Sequence, residues 1–237
     1  MRTSGYNPKP RQGDGVITAL KARKGVPDRV AVCLDGATPL DLAAVVVERA
    51  GLYPGLYLTA DAQERLQEQD APYRARSRSL RLLAFRDRSE FEMESRLRAA
   101  GFEAEVAQDA VRWLRGLGYL DDDRFAMRYA AERIEAGWGK RRVQAELSRK
   151  GLAREVIARA LETAGEAVRA ATGEEDRVVA AANRRFGAQF ASDPEAAERK
   201  LAGYLARRGY DWEEIGRVVR AVRSEVGVGS GTGEPLP

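Results

Sequence analysis

Two basic segments carry the side chains best suited to chemistry in this chain of 237 residues. Arg74, Arg76, Arg78, Arg81, Arg86 and Arg88 fall within fifteen residues and are opposed by Asp87. Lys140, Arg141, Arg142, Arg149, Lys150 and Arg154 form a second group, opposed by Glu146. Clusters of this kind meet phosphates or an acidic protein surface; the alternative is a solvated helix face. Six of the forty basic residues are lysine and the rest are arginine. The guanidinium fork suits bidentate contacts to phosphate and carboxylate, although a GC-rich genome produces the same skew through its codons.

Little else in the chain is equipped for catalysis. Histidine is absent, which removes His-based general bases, Ser-His and Cys-His nucleophiles and most catalytic zinc sites. The single cysteine, Cys33, allows no internal disulfide or CxxC pair and points to a reducing, cytoplasmic setting; in a strand it reads as a small buried hydrophobe. Asp121, Asp122 and Asp123 could hold magnesium, as a nuclease would need. Three consecutive side chains diverge around a helix, however, and a cap on the helix that follows is the better reading. Gly227, Gly229, Gly231 and Gly233 alternate in a pattern that is neither a dinucleotide fingerprint nor a phosphate loop. Tyr53, Tyr57, Tyr73, Trp113, Tyr119 and Trp138 read as packing residues rather than base-stacking platforms.

The elements that must position these side chains change character along the chain. The longest apolar run, residues 42–47, has six residues, far short of the ~18 of a membrane span. The first fifteen residues lack an apolar signal core and read as a disordered lead-in. Residues 16–24 and 29–35 are short β-branched runs joined by Gly25-Val26-Pro27-Asp28, a hairpin signature. Thr38-Pro39 looks like the cap and first position of a helix running to about residue 50. A second short helix opens after Thr59. From residue 73 to residue 234 only Pro194 interrupts the chain, so helix is permitted throughout.

Within that stretch the chain repeats. Aligned on Gly101, Gly151 and Gly209, the eighth residue before each glycine is Met93, Val143 or Leu201, and the fourth before is Leu97, Leu147 or Leu205. Phe102, Leu152 and Tyr210 follow directly; Ala107, Ile157 and Ile215 stand six after, and Val111, Leu161 and Val219 ten after. Apolar residues four apart share a helix face, and the glycine supplies the left-handed residue that ends the helix. A further helix precedes each pair, at 75–86, 122–136 and 175–185. The unit is a three-helix module used three times, spaced by 50 and 58 residues, with the extra eight around 186–193. Such a period indicates an elongated helical array.

The division is then a lead-in (1–15), a β-hairpin and helix region (16–71), module one (72–119), module two (120–165), module three (166–226) and a flexible tail (227–237). Charge sorts by module. The positive excess lies in modules one and two, which carry ten basic against seven acidic and ten against eight side chains; the rest of the chain is neutral or slightly acidic.

The residues also resemble a known family. Arg88-Ser89-Glu90 opens the second helix of module one. Gly118-Tyr119-Leu120-Asp121-Asp122, Phe125-Ala126, Tyr129, Arg133, Gly137 and Gly139 bridge into module two, which closes its middle helix with Glu146-Leu147 and Lys150-Gly151. Lys200-Leu201, Tyr204-Leu205 and Arg207-Arg208-Gly209-Tyr210 mark module three. In order and spacing these motifs, over about residues 16–223, look like the RecX family of bacterial regulators of the RecA recombinase. The resemblance implies a mainly α protein of three tandem three-helix modules after a small N-terminal β-hairpin and helix region. It also implies a monomeric, non-enzymatic negative regulator that uses no cofactor. Such a protein binds the RecA–DNA filament and inhibits its ATPase, strand-exchange and co-protease activities in DNA repair and the SOS response. The two basic clusters named above are the candidate contacts to recombinase or DNA. The alternative is a sequence-nonspecific DNA-binding protein acting through the same basic faces.

Overall fold

The computed structural model describes residues 13–26, 28–35, 38–172 and 174–227, with the side chains of 168–176 outside the description. The expected lead-in (to residue 12) and tail (from residue 228) lie outside these residues. Four strands come first: β1 (Gly15–Ala22), β2 (Arg29–Leu34), β3 (Leu40–Ala43) and, after the short helix α1 (Ala44–Arg49), β4 (Tyr57–Leu58). The long helix α2 (Ala60–Phe85) follows, then α3 (Glu90–Ala99), α4 (Ala104–Gly116), α5 (Asp122–Glu135), α6 (Lys140–Arg149), α7 (Arg154–Thr172), α8 (Glu174–Ser192), α9 (Pro194–Arg208) and α10 (Trp212–Glu225). The helical modules are thus preceded by a small strand region. No described helix is long and apolar enough to cross a membrane.

The hairpin is present, with Leu20 opposite Val32 and Ala22 opposite Val30, but it sits inside an antiparallel sheet of order β3-β2-β1-β4. Residues 40–43, expected as the first turn of a helix, are a strand. Leu40 and Leu42 point inward while Asp41 is exposed, a period of two that pairs with β2 from Val32 to Arg29. Helix begins at Ala44, whose N–H donates to Asp28 O at 2.8 Å. Cys33 is half-exposed and not buried. The lead-in also ends earlier than expected. The Asp14 carboxylate accepts from the Ala60 N–H and the Tyr57 hydroxyl at 2.7 Å each, and Gln63 donates to Gly13 O at 2.8 Å.

A single helix replaces the two expected on either side of Pro72. Thr59 caps α2 by accepting from Ala62 N at 3.2 Å, and the helix then runs for 26 residues with Pro72 inside it. A proline in a helix removes one N–H and frees the carbonyl four residues earlier. Here that residue, Glu68, is exposed, so water can satisfy it. No break in the chain falls at the border between hairpin region and module one. The helix is held to the sheet by Asp70, whose side chain is 1% exposed. It accepts from Arg29 Nη1 of β2 at 2.8 and 3.0 Å and from Ala43 N at the end of β3 at 2.7 Å.

The repeat alignment holds in three dimensions. Met93, Val143 and Leu201 are fully buried, as are Leu97 and Leu147, with Leu205 at 2%. Gly101, Gly151 and Gly209 have φ of 88°, 79° and 88°. At each, the glycine N–H donates three residues back, to Arg98, Ser148 or Ala206. The following N–H reaches the carbonyl of Leu97, Leu147 or Leu205. This is one helix stop, built three times. The extra residues of the third repeat lengthen α8 to Ser192 and bury Phe190 completely. Contacts divide the chain into two compact units, Met1–Arg86 with Met93–Tyr119 and Asp87–Glu92 with Leu120–Pro237.

Asp70→Ala leaves the Arg29 guanidinium, 10% exposed, with weaker partners. It is expected to lower the stability of the N-terminal unit by about 3 kcal/mol, measured from the urea midpoint. A loss below about 1 kcal/mol would mean that Asp41 suffices to hold Arg29.

Candidate functional site

The first basic cluster does not act as one patch. Arg74 pairs with Asp70 Oδ2 at 3.4 Å and lies 5.8 Å from the Phe102 ring centroid. Arg76 lies over Trp113 at 5.2 Å and Tyr73 at 5.9 Å, tying α2 to α4. These two arginines serve the packing of their own unit. Arg78 and Arg81 are exposed and make no ion pair among the described residues. With Arg74 they share one face of α2, being spaced by four and three residues. Arg86 ends α2, whereas Arg88 belongs to the short segment that joins the other unit.

The second cluster divides in the same way. Lys150 is a structural cation. Its Nζ lies 2.9 Å from Glu92 Oε1, with both side chains under 20% exposed, and it sits over the rings of Tyr129 and Phe125 at 5.2 and 5.8 Å. Its carbonyl accepts from Ser89 Oγ at 2.6 Å. Arg142 stacks on Trp138 at 3.8 Å. Arg149 is exposed beside Glu146, 3.8 Å away. Lys140, Arg141 and Arg154 make no ion pair among the described residues, and the two arginines are exposed. The cations of this cluster not taken up in packing are therefore Lys140, Arg141 and Arg149 on α6 and Arg154 at the start of α7.

Several side chains outside the predicted clusters complete the arrangement. Arg133 lies 4.8 Å from both the Tyr129 and the Trp138 ring centroids, so Lys150, Tyr129, Arg133, Trp138 and Arg142 form a continuous cation–aromatic column. The signal was present as Phe125, Tyr129 and Arg133 at four-residue steps on α5, a shared helix face. The Tyr129 hydroxyl donates to Glu146, and burial, reinforced by that carboxylate, raises its pKa above the usual phenol value. Tyr53, Tyr57 and Tyr119, expected as packing residues, are exposed. Tyr73, Trp113 and Trp138 are half-buried and packed.

Module two is joined through helix ends to other segments of its own unit. The Gly139 N–H donates to Arg208 O at 2.8 Å and the Arg141 N–H to Gly209 O at 3.2 Å, so the last carbonyls of α9 meet the first amides of α6. Arg208 donates in turn to Gly137 O at 3.1 Å and stacks on Tyr204 at 4.9 Å. A Cβ at Gly139 would fall on the Gly209 carbonyl, far inside van der Waals contact. At the other end of α6, Ser89 binds the Lys150 carbonyl. Ser89 also accepts from Glu92 N at 3.1 Å while the Glu92 carboxylate accepts from Ser89 N at 3.4 Å, a reciprocal cap on α3.

The three aspartates take up separate partners. Asp121 caps α5 by accepting from Arg124 N at 2.9 Å, Asp122 accepts from Glu90 N at 2.9 Å, and Asp123 pairs with Arg159 of α7. Among the described residues no group of three or more acidic or cysteine side chains is placed to hold a metal ion. Burial raises the Asp122 pKa, against the Glu90 hydrogen bond and with help from Asp121, Asp123 and Glu92.

Family models for the first, second and third three-helix domains of RecX match residues 75–114, 121–161 and 173–219 respectively. The chain belongs to the RecX family. It is 29% identical over 217 residues to "Regulatory protein RecX" of Clostridium acetobutylicum, covering 90% of this chain and 98% of that protein. The RecX of Xanthomonas campestris pv. campestris strain B100 is 38% identical over 141 residues, 58% of this chain and 81% of its own. In fold it resembles a solved regulatory protein RecX (TM-score 0.63, 22% identity, 86% of this chain and 98% of the other). It also resembles RecX from Lactobacillus salivarius (TM-score 0.57, 17% identity, 65% and 97%). Curated RecX proteins thus bear the name of regulators, and the coverage extends over the strand region as well as the modules.

Gly139 has ordinary negative φ, so Gly139→Ala tests close approach alone. It is expected to cost about 2 kcal/mol and to open the α6–α9 joint to protease; an unchanged midpoint would show that the joint yields without loss. Asp122 provides a pH test. Its native pKa is raised, so its contribution is greatest below the unfolded value near 3.8 and is lost as pH rises through the native value. Asp122→Asn keeps an acceptor for Glu90 and removes the disfavoured charge. It should be at least as stable as the parent at pH 7, with that advantage shrinking toward pH 4; a variant weaker at pH 7 would contradict the assignment.

Proposed function

We propose that this RecX protein is a non-enzymatic regulator that binds the RecA–DNA filament and inhibits its ATPase, strand-exchange and co-protease activities. In that role it acts as a cytoplasmic monomer that restrains DNA repair and the SOS response. The observation that carries the reading is the set of exposed cations without an ion pair among the described residues on two family-matched modules: Arg78 and Arg81 on α2, Arg141 on α6 and Arg154 at the start of α7. Half-buried Lys140, and Arg149 beside Glu146, lie on the same helix as Arg141. Unpaired guanidinium groups on rigid helices suit phosphates and carboxylates, the groups that a protein–DNA filament presents. Linked modules that each bind weakly gain from effective concentration when several engage at once. The membership in a family of named regulators supports the same reading.

The same cations favour a second reading, sequence-nonspecific binding to DNA alone. The two part on salt and on the need for recombinase. Binding to bare single strands through phosphate contacts falls log–log with salt, by about 0.7 per contact.

The triple variant Arg141→Glu, Arg149→Glu, Arg154→Glu leaves Arg142 on Trp138 and Lys150 on Glu92. It should raise the concentration needed to inhibit RecA ATPase on single-stranded DNA by at least about tenfold, with helical circular dichroism unchanged. Undiminished inhibition would remove α6 from the interface. Tight bare-DNA binding with a steep salt slope, and no inhibition of the recombinase, would favour the second reading.

A further inference from the structure

The N-terminal unit contains a cleft of about 720 Å³ between α1, the segment leading into β4 and the first half of α2. Its floor is aliphatic: Val46, Leu52, Leu58 and Leu66 are buried members of the sheet core, and Leu56 is half-buried. The α2 wall is a helical stripe of Ala62, Arg65, Leu66, Gln69, Tyr73 and Arg76. The lining contains three arginines, Arg49, Arg65 and Arg76, and no carboxylate.

Several arginines elsewhere in the unit have carboxylate partners. Arg23 and Arg29 are paired with Asp41, Arg74 with Asp70, and Arg112 with Asp109. At the cleft, by contrast, Arg49 reaches the Tyr73 hydroxyl at 3.5 Å, and Arg65 is exposed without an ion pair among the described residues. Arg76 stacks on Tyr73 and Trp113, and its buried Nε lacks a hydrogen-bond acceptor. A concave aliphatic floor ringed by uncompensated guanidinium groups suits a ligand that is apolar at its centre and anionic at its edges.

We propose that this cleft is a docking site for an acidic peptide segment of a partner protein. An aliphatic or aromatic side chain of the peptide enters over Val46, Leu56 and Leu66, and carboxylates on either side of it meet Arg49 and Arg65. A nucleic acid is a poorer match. Base edges need donors and acceptors, which the aliphatic floor lacks, and the Tyr73 ring that could stack on a base is already covered by Arg76. The site belongs to a different compact unit from α6 and does not depend on the regulatory reading of the module faces.

The test uses the full chain, isotope-labelled, with the acetylated peptide Glu-Asp-Leu-Phe-Glu-Asp-Glu as probe. Its Gln/Asn counterpart and a short oligo(dT) serve as comparisons. The acidic peptide should shift amide resonances within residues 46–58 and 62–76. Arg49→Glu with Arg65→Glu, both exposed positions, should weaken it at least about tenfold while the urea midpoint stays constant. The neutral peptide should bind at least about tenfold more weakly. The proposal is overturned by equal binding of the neutral peptide, by undiminished binding to the double variant, by shifts confined to other helices, or by oligo(dT) displacing the peptide from these resonances.

Discussion

The second unit depends on one repeated constraint: a helix that ends in glycine delivers its last carbonyls to the start of another helix. Arg208 O and Gly209 O accept from the first amides around α6, and Lys150 O accepts from Ser89 ahead of α3. Each bond satisfies groups that a helix terminus otherwise leaves to water and sets a negative helix end against a positive one. The approach requires the absence of a side chain. A Cβ at Gly209 or Gly151 would overlap Arg142 or the Phe91 ring. The left-handed glycine therefore does two jobs, stopping the helix and clearing space for its neighbour.

The cation preceding each glycine strengthens the joint. Lys150 and Arg208 stand at equivalent repeat positions, 58 residues apart. Lys150 pairs with Glu92, and Arg208 donates to the Gly137 carbonyl. Both lie over aromatic rings of their own module, Tyr129 and Tyr204. A cation near a helix C-terminus is also favoured by the dipole. These residues look like part of a basic recognition face when written in a line, yet their charge is spent inside the protein. What remains for a partner is the smaller set on exposed helix faces and ends.

The N-terminal unit solves a different problem. Its four-stranded sheet has a short hairpin at its centre and buries one face beneath α1 and α2. Asp70 fixes that arrangement by joining β2, β3 and α2 through one buried carboxylate. The arginine it neutralises, Arg29, is accordingly closed to ligands, whereas Arg49 and Arg65 across the same helix are open. Burial and pairing, and not sequence density, separate structural from available arginines throughout the molecule.

The three-module plan was legible in the residues because its signals are local and repeated. Apolar spacing of four, a glycine stop and an apolar residue directly after it recur with Met93–Leu97, Val143–Leu147 and Leu201–Leu205, and each pair is buried. The family motifs were legible for the same reason. What sequence alone missed depends on partners distant in the chain. Leu40–Ala43 became a strand because β2 offered an edge to pair with, and Pro72 was tolerated inside α2 because the carbonyl it frees belongs to exposed Glu68. The division of each basic cluster into spent and free cations was equally hidden, since Asp70, Trp113, Glu92 and Trp138 select their arginines and lysines by position in space. The sequence by itself determined the helical repeat and its stops, whose physics is contained within a few turns of chain. Tertiary structure alone decided which charges are buried, which helix ends meet and where an uncompensated cleft is left, because those follow from desolvation and contact between remote segments.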